Sequence, residues 1–422
     1  MTWTTLHLEV TTPLFNAGAE PDDKAGGQPG VRVSSLRGAM RFWFRVLVGG
    51  VTGPNLGLLA ELEHMVFGDT ERSCPVPLRI PAPPPQVKAG MEQMDRWIVY
   101  LLGQGLGDLR ASTTIRPYVP PGRKFELKLR LRPLLRGRHD NAGAEQCVDP
   151  EVAAALTLAS LWLTCTYGGL GARTRRGFGG LRIVGSDGWL PPPWTPEAIQ
   201  TPDLDHYEGV RFLWPDATVG KCLTTLLKTK GGDTRKAWTS PPSFPVLHRQ
   251  HTLAGASGGG VFDNWEHTLR HAGEQLRNFR ASRDAPGARY SPPRKTPEWE
   301  DVIWGPGDRF PLGALGLPVV FKKNGPEVNA EKRGDGVRRG ESLRRASPLW
   351  LRAVGSDDEW RLFSFAFLGE FLPGSDGPVV NLRNPGKSAE RLRVDTADVR
   401  RLAEQWINEM ARDGSFINTR RQ

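Results

Sequence analysis

The sequence predicts an α+β fold, and three observations carry the prediction. Residues 3–10 alternate, with Thr4, Leu6, Leu8 and Val10 on one side and Trp3, Thr5, His7 and Glu9 on the other, the period of a half-buried strand. Over SSLRGAMRFWFRVL, residues 34–47, the period turns helical: Leu36, Met40, Trp43, Phe44 and Leu47 form one apolar stripe. A second strand–helix–strand follows. KFELKLRLRPL alternates from Phe125 to Leu131, PEVAAALTLASLWLTCTYGG is apolar nearly all round, and LRIV reads again as a strand. Strand–helix–strand twice over about 185 residues is the ferredoxin-like pattern, here with large insertions.

In chain order, TTPLFNAG breaks the first strand and a polar loop runs from Glu20 to Gly30. Ser34 or Ser35 suits the N-cap of the first helix, because a hydroxyl can accept from the unpaired amides of the first turn. Arg37, Arg41 and Arg45 lie four apart beside the apolar stripe. Neighbouring arginines repel by a few tenths of a kcal/mol per pair, which suits either an anion bound there or carboxylates supplied from elsewhere. The second helix is LGLLAELEHMVFG, followed by SCPVPLRI and a proline loop, Pro81 to Pro85. Between Arg110 and Arg138 nine basic residues face a single acid, Glu126, so the outer side of that strand should be positive.

GWLPPPWTPEAIQTPD, residues 188–203, has the composition of a linker. It divides an N-terminal unit, 1–187, from a C-terminal unit, 204–422, which carries an insertion at about 221–300. In the second half, Phe262, Trp265, Leu269, Ala272, Leu276 and Phe279 recur three and four apart, a helix with a core seam. VRRLAEQWINEMARDG reads as a final amphipathic helix.

The 422 residues suffice for two or three domains. No apolar run reaches the eighteen residues of a membrane span, and the N-terminus already alternates like a strand rather than reading as a signal peptide. The expectation is a cytoplasmic protein without a membrane partner. The four cysteines are widely spaced and form no CxxC pair, against both a zinc site and a disulfide scaffold. A net charge of +10 points to an anionic partner, most often nucleic acid.

YGGLGARTRRGFGGL, Tyr167–Leu181, packs six glycines and three arginines into fifteen residues. A Walker A loop would need Lys then Ser or Thr after its last glycine, and a strand before it and a helix after it. Here Gly177 precedes Phe178 and the order is helix, loop, strand. A nucleic-acid backbone fits better. Glycines such as Gly169 and Gly171 let backbone amides approach phosphate, Arg173, Arg175 and Arg176 add bidentate forks, and Phe178 offers a ring for a base.

Catalysis is not expected. His248 and His251 lie close together, His267 and His271 sit four apart without the HExxH pattern, and Asp22 and Asp23 would need further carboxylates to hold Mg²⁺. No catalytic residue, metal or cofactor is assigned.

Together, TTPLFNAG, SSLRGAMRFWFRVL, LEHMVFGDTERSCPV and GGLGARTRRGFGGL resemble the RAMP proteins of type III CRISPR effectors. The Arg-x-Ser-Ser-x-Arg-Gly helix with its RFWFR run is most similar to subunit one of the Cmr (type III-B) complex, and GLP at Gly316–Pro318 and RRASPLWL at Arg344–Leu351 resemble that family's C-terminal half. Residues 221–300 carry none of the likeness. The resemblance implies two RRM-like (ferredoxin-like) domains in a non-catalytic RNA-binding subunit. Such a subunit caps the filament near the 3′ region of the guide RNA, touches neighbouring RAMP subunits and helps admit single-stranded target RNA. By the same resemblance the Gly-rich loop and the basic helix inherit RNA contact. A purely structural cap, with the arginines balancing acidic neighbours, is the alternative, and a ribonuclease the third reading. Phe44 departs from relatives, which usually carry a second tryptophan there.

Overall fold

The computed structural model describes residues 3–16, 30–71, 73–87, 92–103, 105–130, 148–208, 217–230, 238–256, 261–281, 301–303, 305–320, 325–331, 342–372, 379–386 and 388–411. The α+β expectation holds. A first sheet joins β1 (Thr4–Val10), β2 (Leu78–Arg79), β5 (Lys124–Leu129) and β6 (Leu181–Asp187) in the order β2–β5–β1–β6, with every pair antiparallel. The apolar side of the β1 alternation pairs with that of β5, Leu6 opposite Leu127 and Leu8 opposite Phe125. Three helices pack with this sheet: α1 (Val33–Thr52), α2 (Leu56–Phe67) and α4 (Pro150–Thr166). The predicted stripe of α1 is buried at every position, from Leu36 to Leu47. Its N-cap is Arg32 rather than a serine, and it makes no side-chain cap bond. The Leu36 amide already donates to the Arg32 carbonyl at 3.0 Å, so Ser34 and Ser35 lie inside the first turn.

Between β2 and β5 stand α3 (Arg96–Leu102) and a short hairpin of β3 (Gly107–Asp108) with β4 (Thr113–Thr114). Two short helices follow β6, α5 (Leu204–Glu208) and α6 (Ala217–Lys228). A second sheet runs β11 (Leu349–Ser356), β12 (Glu359–Phe367), β7 (Thr252–Ala256). A third holds β8 (Val319–Val320), β9 (Glu327–Glu331), β10 (Ser342–Leu343), β13 (Val379–Arg383) and β14 (Glu390–Leu392). Helices α7 (Trp265–Ala281) and α8 (Thr396–Ala411) complete the described chain. Among the described residues no helix is long and apolar enough to cross a membrane.

Both halves of the chain feed both cores. Trp43 and Tyr167 pack with Phe365, and Trp350 stacks on Phe365 with ring centroids 5.5 Å apart and planes 15° apart. Phe15 and Phe178 belong to the other core with Leu269, Phe310 and Trp406. Of the seam read as core, Leu269, Ala272, Leu276 and Phe279 are buried on α7, while Trp265 at its start is half-buried and Phe262 lies before the helix, bonded to Trp360.

Candidate nucleic-acid interface

The Gly-rich loop turns back on itself between α4 and β6. The Leu170 amide donates to the Gly179 carbonyl at 2.8 Å, Ala172 to Phe15 at 2.7 Å and Gly179 to Pro13 at 2.9 Å. Arg176 and Gly177 donate to Arg173 and Thr174, and Gly180 donates to the Thr12 hydroxyl. These amides are therefore spent within the protein. The cradle of free amides expected of the loop does not form from them. Glycine is needed here for close packing: Gly171 sits at φ +90°, where a Cβ would run into the Phe15 carbonyl. Gly169 is buried against the Gly179 carbonyl, out of reach of a phosphate.

Phe178 corrects a second expectation. Its ring is fully buried, edge-on to Phe15 at 5.9 Å between centroids, so it anchors the loop instead of meeting a base. Arg175 is also an anchor. Its Nη1 donates to the Ser347 carbonyl at 2.7 Å, its own carbonyl accepts from Leu351 at 3.1 Å, and its guanidinium lies 5.2 Å from the Trp350 ring centroid.

On α1 two of the three arginines of the stripe are neutralised from outside the helix. Glu63 of α2, itself nearly buried, takes Arg41 Nε at 2.9 Å on one oxygen and Arg45 Nη1 at 2.9 Å on the other. Arg37 is half-buried one turn earlier. Arg41 and Arg45 thus join two helices, and the charge that faces solvent as a cluster lies elsewhere.

That cluster forms around the exposed Arg173 and the half-buried Arg176. Burial lowers the pKa of Arg173, and Arg344 lowers it further. Arg176 is pushed down to about 10 by burial and by Arg280 and Arg173, against a smaller opposing effect of Tyr100. Arg345 is pushed down to about 10 by burial and Arg175, and Arg277 is lowered by burial and Arg96 while Tyr100 opposes the shift. The lowered guanidiniums stay protonated at neutral pH, so four segments, the Gly-rich loop, α3, α7 and residues 344–345, bring cations together at the cost of their mutual repulsion. Sequence reasoning did not single out Arg96, Arg277, Arg280, Arg344 or Arg345 as binding residues. The only signals were the Arg-Arg pair at 344–345 and the spacing of Arg277 and Arg280 by three on one helix.

A separate cavity of about 400 Å³ opens between β6 and the β11–β12 hairpin. Its lining mixes Arg182 and Arg352 with Asp203, Asp205, Asp357 and Glu359, a sign of charge that suits polyphosphate poorly. Arg352 is buried and donates to the carbonyls of Gly168 and Cys165, which ties β11 to the end of α4. His248 and His251 stack at 5.2 Å, but among the described residues no three His, Cys, Asp or Glu side chains converge as a metal site. Asp22 and Asp23 lie outside the described residues.

The profile of the RAMP superfamily matches residues 7–182. The chain is 32% identical over 157 residues to the CRISPR system Cmr subunit Cmr1-1 of Pyrococcus furiosus, an alignment spanning 37% of this chain and 41% of that relative. It is 31% identical over 181 residues to Cmr1-2 of the same organism, across 42% of this chain and 92% of that relative. The crystal structure of apo Cmr1 from Pyrococcus furiosus superposes over 99% of each chain with a TM-score of 0.51 at 18% identity, a likeness of fold. The chain belongs to the RAMP superfamily, in the family of the Cmr1 subunits of the CRISPR Cmr system.

Proposed function

We propose that this chain is a non-catalytic RNA-binding subunit of a cytoplasmic type III-B CRISPR ribonucleoprotein. It caps the filament near the 3′ region of the guide RNA, contacts neighbouring RAMP subunits and helps admit single-stranded target RNA. One observation carries the reading: beyond the effect of burial, Arg344 lies close enough to Arg173, and Arg280 close enough to Arg176, to lower the pKa values of Arg173 and Arg176. An RNA backbone laid across them relieves that repulsion and releases its counterions, which gives strong salt dependence. Guanidinium forks fit phosphate bidentately and read no base identity, so sequence selection is left to base pairing with the guide.

Fluorescence anisotropy of the full chain with a labelled single-stranded RNA of about 40 nucleotides tests this, with single-stranded DNA and duplex RNA alongside. Binding should be tight, salt-dependent and indifferent to EDTA, with the strand intact on a denaturing gel. Replacing Arg173, Arg280 and Arg344 together by Gln should weaken binding and flatten the salt slope by about 2, at about 0.7 per phosphate contact on a single strand. An unchanged slope would leave the chain a structural cap, and Mg²⁺-dependent cutting would make it a nuclease.

A further inference from the structure

A tryptophan stands where the arginine cluster reaches α3. Asp95 caps this helix, accepting from the Trp97 amide at 2.7 Å, and is itself held by Arg270 of α7 at 3.4 Å. Gly273, one turn along α7, has no side chain to keep the helices apart; a Cβ there would collide with the Trp97 carbonyl. This close crossing places Arg277, a further turn along, 5.1 Å from the centroid of the half-buried Trp97 ring. Exposed Arg96 lies 4.9 Å from the same centroid. Tyr100, on the next turn of α3 and half-buried, interacts electrostatically with both Arg277 and Arg176. Asp95, Arg270 and Gly273 therefore fix the backbone that carries the ring, while two guanidiniums lie over the ring itself. The row continues through Tyr100 into the cations around Arg173.

We infer that Trp97, over which Arg96 and Arg277 lie, is a stacking site for an unpaired nucleobase of single-stranded RNA, the base taking the place of a guanidinium that moves to the adjacent phosphate. It extends the phosphate track of the proposed RNA-binding reading, on which it rests. The chemistry is that of single-strand binding: a π-face accepts any base, and flanking guanidiniums take the adjacent phosphates or lie against the base plane. The loop has no such ring to offer, since Phe178 is buried. A duplex keeps its bases stacked on one another, so this site selects for unpaired strand.

The test measures the full chain with single-stranded and duplex RNA across a salt series, for wild type, Trp97→Leu, Trp97→Phe and Arg277→Gln. Trp97→Leu should weaken single-strand binding roughly tenfold or more, as loss of one stacked base does, with the salt slope unchanged and duplex binding unaltered. Trp97→Phe should recover most of the affinity, and Arg277→Gln should flatten the slope by about 0.7. Thermal unfolding of each variant identifies folding damage, and the Phe variant keeps a ring in the packing between α3 and α7. If the triple arginine variant weakens binding while both Trp97 variants bind like wild type, the stacking site is wrong and the RNA-binding reading survives. Trp97 is then a packing or protein-contact residue. If wild type fails to bind single-stranded RNA at all, both fall.

Discussion

Arg173 is one of the few described non-glycine residues with positive φ, at +62°. An L-residue held in that left-handed region costs on the order of 1–2 kcal/mol. The flanking bonds impose the conformation, with Ala172 tied to Phe15 and Arg176 closing back on the Arg173 carbonyl. A glycine would satisfy the backbone better, and an arginine there adds exposed charge beside Arg344. Arg173→Gly is therefore expected to move stability and affinity in opposite directions. It should leave the melting temperature unchanged or higher, by an amount worth up to about 1 kcal/mol, while RNA binding weakens and the salt slope falls by about 0.7. Calorimetry and an anisotropy titration check the two signs separately. At this scale the sequence reveals residue type but not company. Trp97 directly follows Arg96 and Phe178 lies two residues from Arg176, and only the fold sends one ring inward and leaves the other half-exposed. Trp97 also lies in a seven-residue helix, too short for a periodic pattern to stand out.

Among the elements, α1 shows where pattern is informative and where it stops. The apolar stripe could be read off and is buried as the period requires. The arginines beside it read either as an anion site or as a face balanced by distant carboxylates, and the pattern could not choose because the counter-charge comes from α2, eighteen residues beyond Arg45 in sequence. The bond between Glu63 and this pair is partly shielded, with the carboxylate 9% exposed and the guanidiniums 29% and 43% exposed. Arg45→Gln should therefore cost about 1–2 kcal/mol, less than breaking a fully buried pair. It should leave the salt slope of RNA binding within error of wild type. A slope reduced by about 0.7 would instead place Arg45 on the RNA. The glycine-rich loop makes the same point. Its glycines were legible as a sign of unusual backbone, but that backbone closes on Phe15, Pro13 and Leu269 rather than on a ligand.

At the scale of the molecule, long-range contacts decide what the strand and helix patterns leave open. The alternation at 4–10 and 125–129 fixed which faces pair, yet nothing local announced that Trp350, Phe363 and Phe365 would fill the core around Trp43 and Tyr167. The segment before β7 belongs to this join. The Leu247 amide donates to the Val46 carbonyl of α1 at 2.9 Å, Leu368 at the end of β12 donates to the His251 carbonyl at 2.8 Å, and Arg400 of α8 reaches the Gln250 carbonyl at 2.8 Å. His251 is buried where these meet, 5.2 Å from the His248 ring. Its pKa lies below the ordinary histidine value, first through burial and then through His248 and Arg400, and burial lowers His248 as well. The sign follows from proton linkage. Between the folded pKa and the unfolded value near 6.5, the unfolded chain binds more protons, so stability rises with pH across that window. Stability should be full above about pH 7 and fall as pH drops through 6.5 toward the lower folded value. Scanning calorimetry at pH 7.5 and 5.5 should show the melting temperature dropping in wild type and dropping less in His251→Gln, which removes the titrating ring. Equal drops in the two proteins would mean that carboxylates elsewhere set the acid response and that His251 titrates alike in both states.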